Sequence, residues 1–366
     1  MALNLKSLLI SVVIMVTPAS SQAQQTNAER IFRDAAAEQP GFAIGLSYAF
    51  GQDAPAVLTE GPTVKGGTTP VADEAAWHIG SIGKSFTASL VMRLVERGVL
   101  DLDAPIGPYI ADPEYGLHPD WQKLNLRHLL SHRAGLPANP PMRLFRETAG
   151  HEPRAGRLSV LSQMWGKPLP NTDEAFLYSN VGYVLAGFIV EEVAGAAWEA
   201  LIQTEIAQPL KLASLGFGAP DASGAAWGHR SVFGFKRPVA PDKLASDNPR
   251  WMGPAGTLHL NLADLVRWGQ AHLDACAGRS DAFLSQTSCQ LMQTPVAPDY
   301  GLGWVIQETG GGGHVVWHNG SNTMWYAVLF LVPEDDLVIA LTTNVFAPDR
   351  IDSLVRELAS ALRPSP

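Results

Sequence analysis

At 366 residues the chain can bury one large or two medium cores, and 46% hydrophobic with 17% charged residues marks a globular protein rather than a disordered one. A formal net charge of −9, with no local basic cluster to reverse it, argues against nucleic acid as a partner. No segment approaches the ~20 apolar residues of a membrane-spanning helix, so no stable membrane insertion is expected.

The first residues read as an export signal. Lys6 gives a positive start, Leu8 to Val16 form a short apolar core, and Ser21-Gln22-Ala23 supplies a small-x-small cleavage pattern. Residues 1–23 are therefore expected to be absent from a mature protein that is periplasmic or secreted. Residues 27–38 predict an alanine-rich helix with Ile31 and Phe32 on its apolar side. Residues 42–50 predict a strand, 51–53 a turn and 56–59 a partner strand, and glycine- and threonine-rich 61–69 a loop.

The chain then reads Trp77-His78-Ile79-Gly80-Ser81-Ile82-Gly83-Lys84-Ser85-Phe86. A short apolar run stops at Gly80, and a helical pattern continues through Phe86, Leu90, Val91, Leu94 and Val95. Ser81 thus sits near a helix N-terminus, with Lys84 on the same face about one turn away. A serine hydroxyl is a weak nucleophile until a base takes its proton, and a desolvated lysine can be that base. The helix start adds N–H donors where an oxyanion would form. Two common residues at this spacing also arise by chance, and a helix start followed by a solvated lysine is the plainer reading. Gly83-Lys84-Ser85 resembles the tail of a P-loop, but His78 stands where that motif needs glycine. The Gly-x-Ser-x-Gly elbow fails at Ile79 and Lys84.

Residues 106–249 predict a helical, loop-rich insertion. Asn125 caps a short helix through Leu130, and further helices are expected at 158–165 and 181–193. The last of these places Glu191 and Glu192 on its wet side and ends at Gly195; residues 219–248 read as a long connection. His128 and His132 have the spacing of zinc ligands, but Leu129 replaces the glutamate of His-Glu-x-x-His, and no metal is expected. In the last third, Asn261 caps a helix at 264–273. Residues 303–307 and 314–317 then flank a glycine turn, and 325–332 and 337–343 flank a second turn at 333–336. Ile351, Leu354, Val355, Leu358 and Leu362 make a closing amphipathic helix. Successive hairpins imply an α/β fold of the α+β type: an antiparallel sheet flanked by helices, built from residues 24–105 and 250–366 around the helical insertion. Cys276 and Cys289, the only cysteines, are either bridged or two buried thiols.

Two further stretches carry candidate chemistry. In Tyr178-Ser179-Asn180 a phenol and a carboxamide face the same way if the segment is extended. A phenol near a lysine ammonium loses its proton more easily and can relay one, and a carboxamide can hold an amide substrate. Core packing by Tyr178 and helix capping by Asn180 are the ordinary alternatives. In Trp317-His318-Asn319-Gly320-Ser321, His318 could carry charge toward a substrate carboxylate or donate a hydrogen bond. Gly320 would let substrate backbone approach the strand edge, and a backbone N–H here could join that of Ser81 in an oxyanion hole.

In chain order, Ser81-x-x-Lys84, Tyr178-x-Asn180 and His318-x-Gly320 resemble the serine β-lactamase and penicillin-binding-protein superfamily, in its class C β-lactamase-like branch. Leu129-Leu130-Ser131-His132-Arg133-Ala134-Gly135-Leu136-Pro137, Tyr300-Gly301-Leu302-Gly303-Trp304 and Asn344 are similar to that branch as well, so the likeness runs from about Phe42 to the C-terminus. The resemblance implies a cleft between sheet and insertion in which Ser81 is acylated while Lys84 and Tyr178 share the proton traffic. It implies that Asn180 holds the substrate amide, that the Ser81 and Ser321 N–H groups hold the oxyanion, and that no metal or organic cofactor is needed. His318 stands where dedicated class C β-lactamases have lysine, and histidine is more usual among DD-peptidase-like and esterase-like members. Met324-Trp325 replaces a usual Gly-aromatic pair, a bulk expected to narrow the cleft. The expectation is an exported serine hydrolase acting on a small-molecule or peptide substrate, with small esters or D-amino-acid peptides ahead of β-lactams. A penicillin-binding or peptidoglycan-sensing module with little turnover is the alternative.

Overall fold

A computed structural model describes residues 19–363 except 111, 172–174, 223 and 311. The export-signal residues Lys6 and Leu8 to Val16 lie outside the described residues, while Ser21-Gln22-Ala23 falls in the first helix, Ala19–Glu38.

Among the described residues, six antiparallel strands form the main sheet. From edge to edge they run Ala56–Glu60, Ile44–Phe50, Leu337–Thr343, Tyr326–Val332, His314–Ser321 and Val305–Glu308. The two ends of the chain meet at its centre, where Ile44↔Thr343 through Phe50↔Leu337 pair in register. Strand periodicity sorts the side chains. Ile44, Leu46, Val328, Phe330, Ile339 and Leu341 share one buried face with Phe32, Leu354 and Leu358 of the terminal helices Ala19–Glu38 and Pro348–Leu362. Leu329, Leu331, Val338 and Ala340 turn to the other face, whose core includes Phe86 and Trp268 from the helices Gly83–Glu96 and Leu262–Cys276. Both faces are covered, so the two central strands read as continuous apolar runs rather than alternating ones.

Local rules explain the helix ends. The Asn125 carboxamide accepts from His128 N–H at 2.8 Å, and that of Asn261 from Asp264 N–H at 2.8 Å. Gly195, with φ of 66°, closes Asn180–Ala194. Three expectations change. Glu191 is not on a wet face: it is buried against the Arg157 guanidinium, whose Nε donates to Glu191 Oε2 at 3.0 Å and whose Nη2 donates to Glu199 Oε2 at 2.9 Å. An ion pair taken out of water holds only with such multiple bonds. The connection at 219–248 contains a hairpin, His229–Val232 with Phe235–Pro238, turning at Phe233-Gly234. The stretch read as helical also carries Gly216–Phe217, which joins Ala76–His78 and Leu258–Asn261 in a three-stranded sheet. That small sheet delivers Ser81. Cys276 and Cys289 are bridged, tying Leu262–Cys276 to Gln286–Met292. No single described helix is long and apolar enough to cross a membrane.

Candidate active site

Ser81 lies in the 3-10 turn Gly80–Ile82, between the strand Ala76–His78 and the helix Gly83–Glu96. Lys84, in the first turn of that helix, is fully buried. Its Nζ lies 3.0 Å from Ser81 Oγ, 2.7 Å from Asn180 Oδ1 and 2.6 Å from the carbonyl oxygen of Ala255. The last two oxygens can only accept. A neutral amine meets them with its two N–H groups, which leaves its lone pair for the one partner that can donate, the Ser81 hydroxyl. Burial holds the Lys84 pKa well below the ordinary lysine value, and so favours that neutral form. The rings of Tyr178 and Tyr183 lie over the ammonium position, with centroids at 4.9 and 5.5 Å, so the charged form is accommodated once it arises.

Tyr178 leads into the helix Asn180–Ala194, and its phenol lies close enough to the Ser81 hydroxyl to be influenced by it. The expectation that Lys84 would ease proton loss from this phenol is not met. Burial raises the Tyr178 pKa, and the group rests as a neutral O–H. Ser179, not Asn180, caps the following helix, accepting from Gly182 N–H. The Asn180 carboxamide is largely engaged inside the protein: its oxygen accepts from Lys84, and its nitrogen donates to Asn139 Oδ1 at 2.8 Å. One N–H remains as the edge a substrate amide can use.

His318 departs furthest from expectation. It is buried, Tyr300 Oη lies 3.1 Å from its Nε2, and its Nδ1 bonds to the carbonyl oxygen of Asn319. That carbonyl can only accept, so Nδ1 carries the proton and Nε2 accepts from the Tyr300 hydroxyl. Burial, with a smaller contribution from Lys84, pushes the His318 pKa down to about 3. His318 therefore neither carries charge toward a substrate carboxylate nor has a free N–H to offer one.

Gly320 is also reassigned. A Cβ there would lie 2.5 Å from Ser81 N and closer still to the Ile79 carbonyl oxygen, so the space it leaves is filled by the protein's own backbone rather than by substrate. Gly80, with φ of +52°, reciprocates: a Cβ on it would lie 2.6 Å from Gly320 C and nearer yet to Ser321 N. This close approach brings the N–H groups of Ser81 and Ser321 to one place. Trp325 does not narrow the cleft. It is fully buried, donates from Nε1 to Ala226 O at 3.0 Å and stacks on His78. His132, one of the two candidate zinc ligands, accepts from Ser179 N–H at 3.0 Å through Nδ1 and sits among the rings of Tyr178, Tyr183 and Tyr300.

Sequence reasoning missed Ala255 and Gly256. Their contribution is backbone: a carbonyl for Lys84, and room beside Gly80, which a Cβ on Gly256 would reach at 2.9 Å from its carbonyl oxygen. The Gly-Pro-Ala-Gly run at 253–256 signals close backbone packing there, but not the carbonyl that Ala255 presents.

Fold and site together define a serine hydrolase. The chain belongs to the beta-lactamase family, whose model matches residues 31–362. It is 28% identical over 334 residues to penicillin-binding protein 4 of Amycolatopsis lactamdurans, covering 84% of this chain and 83% of that one. It is 28% identical over 236 residues to a beta-lactamase of Escherichia coli (strain K12), covering 64% of this chain and 56% of that one. Among solved structures it is similar to SurE, with a TM-score of 0.75 at 26% identity over 94% of this chain and 77% of that one. The D-amino acid amidase of Ochrobactrum anthropi SV3 shares the fold, with a TM-score of 0.72 at 20% identity over 93% of this chain and 98% of that one.

Proposed function

We propose that the protein is an exported hydrolase that forms an acyl-enzyme on Ser81, with Lys84 as general base. The observation that carries this reading is the set of partners around Lys84 Nζ, which aims the lone pair of the neutral amine at Ser81 Oγ. In the forward step Ser81 Oγ bonds to the substrate carbonyl carbon and its proton passes to Lys84. The negative charge on the carbonyl oxygen is met by the Ser81 and Ser321 N–H groups. As the carbonyl re-forms, the bond to the leaving group breaks, and the Tyr178 O–H beside Ser81 protonates that group while Lys84 makes good the phenol's proton. Water then repeats the sequence and releases the acid.

Substrates are small esters and D-amino-acid amides or peptides ahead of β-lactams. What supports the neutral members of this set, the esters and amides, is the neutral, internally bonded His318, which supplies no positive charge for a substrate carboxylate. The names of the relatives, among them a D-amino acid amidase and penicillin-binding proteins, fit the same range of acyl compounds. Export is supported by the Lys6 to Ala23 signal pattern, and the Cys276–Cys289 bridge suits an oxidising compartment. Intact-protein mass spectrometry with a nitrophenyl ester, a D-amino-acid amide and a penicillin tests the substrate order. The expected result is transient acylation with turnover on the first two and slower acylation by the third. A long-lived adduct with every compound would favour the non-turnover binding module instead.

A further inference from the structure

We propose that Asp247 is a positioning residue for the oxyanion hole, fixing both N–H donors through one buried carboxylate oxygen; this rests on the reading of Ser81 and Ser321 given above. On the Ser81 side, Gly80 N–H donates to His78 Nδ1 at 3.2 Å. A neutral histidine that accepts at Nδ1 carries its proton on Nε2, and His78 Nε2 lies 2.8 Å from Asp247 Oδ1. The contact lacks the alignment of a hydrogen bond, so it holds by electrostatic attraction. The two side chains are 0% and 8% exposed, where such attraction is screened little.

On the Ser321 side, Asn322 Nδ2 donates to the same Asp247 Oδ1 at 2.9 Å. The Asn322 oxygen accepts from Met324 and Trp325 N–H at 3.2 and 3.3 Å, and Ser321 Oγ donates to Trp325 O at 2.6 Å. These bonds shape the turn that follows the strand His314–Ser321. Trp325 closes the loop by stacking on His78, with ring centroids 5.5 Å apart. The segment before one donor and the residue after the other thus converge on a single atom. A third tie comes from the next residue, as Asn248 Nδ2 donates to Gly256 O at 3.3 Å, and Gly256 backs onto Gly80. Asp247 acts only through these neighbours.

Donors aimed at a developing oxyanion contribute in the transition state and little to ground-state binding, so loosening them lowers kcat while leaving KM in place. The test compares Asp247→Ala and Asp247→Asn for kcat and KM on a nitrophenyl ester, and for inhibition by an arylboronic acid, whose tetrahedral adduct places an oxygen in the hole. Asp247→Ala should lower kcat and weaken the boronate by about tenfold or more, with KM within about threefold. Asp247→Asn, whose amide oxygen can still accept from Asn322 but which lacks the charge that faces His78, should recover part of both. Should Asp247→Ala fail to fold, Asn322→Ala cuts the Ser321 side alone and should show the same split at smaller size. Unchanged kcat and boronate affinity in the folded variants overturns the proposal, as does equal loss in Asp247→Ala and Asp247→Asn. Ser81→Ala run in parallel separates the two readings: undiminished hydrolysis there means that the assignment of Ser81 has failed, and not this inference alone.

Discussion

Gly80 and Gly320 meet backbone to backbone, and the contact sets the separation of the Ser81 and Ser321 N–H groups. A Cβ on Gly320 would lie 2.5 Å from Ser81 N, where the obstacle is main chain that cannot swing aside. Gly320→Ala should therefore displace one donor. Losing a single oxyanion donor costs roughly a hundredfold or more in kcat. Turnover of a nitrophenyl ester, with a melting curve to show that the variant folds, checks this. A folded variant with wild-type kcat would remove the strand from the oxyanion site.

The rate should follow one ionisation on the acid side. A general base works deprotonated, so kcat/KM for a neutral ester should fall as pH drops through the Lys84 pKa. Burial lowers that pKa, so the plateau should begin well below the 10.5 of an ordinary lysine. Tyr178, raised by burial, stays protonated throughout, and His318, at about 3, stays neutral. A profile from pH 5 to 10 should show no separate inflection near ~6.5, the ordinary histidine value. Such an inflection, abolished in His318→Asn, would mean that the imidazole titrates after all.

Acid should destabilise the fold earlier than carboxylates alone would bring about. His318 and His272 are pushed down to about 3, and His132, His229 and His259 are lowered too, mainly by burial. For each, the unfolded chain binds the proton first, so the stability is complete above the unfolded pKa of ~6.5 and declines as pH falls toward the folded value. The slope is about 1.4 kcal/mol per pH unit for each histidine held neutral. Melting temperatures should drop steadily from pH 6.5 to 4.5, and a flat Tm over that range would contradict the burial of these rings.

Much of the fold and of the site is legible in the amino-acid sequence, for identifiable reasons. Ser81 and Lys84 share a helix start, continuous apolar runs mark the central strands and hydrophobic period marks the closing helix, because those signals are local. Order along the chain links Tyr178, Asn180 and His318 to them. The features that sequence does not reveal depend on partners distant along the chain. Whether His318 carries charge is decided by Tyr300 and by the burial around both. Glu191 looks solvated on its own helix until Arg157, 34 residues earlier, is placed against it. Trp325 reads as a cleft residue until Ala226 and His78 are seen to take it into the core. Ala255 contributes only a carbonyl oxygen, which no side-chain pattern reports.

In the proposed mechanism the Ser81 hydroxyl is the nucleophile and Lys84, 3.0 Å away, takes its proton. The direct measurement is peptide-mapped mass spectrometry after timed exposure to a fluorophosphonate, on the wild-type protein, Ser81→Ala and Lys84→Ala. One adduct is expected on Ser81, none in Ser81→Ala, and labelling slowed by about a hundredfold or more in Lys84→Ala. An adduct on another serine, or Lys84→Ala labelled at the wild-type rate, would contradict that mechanism.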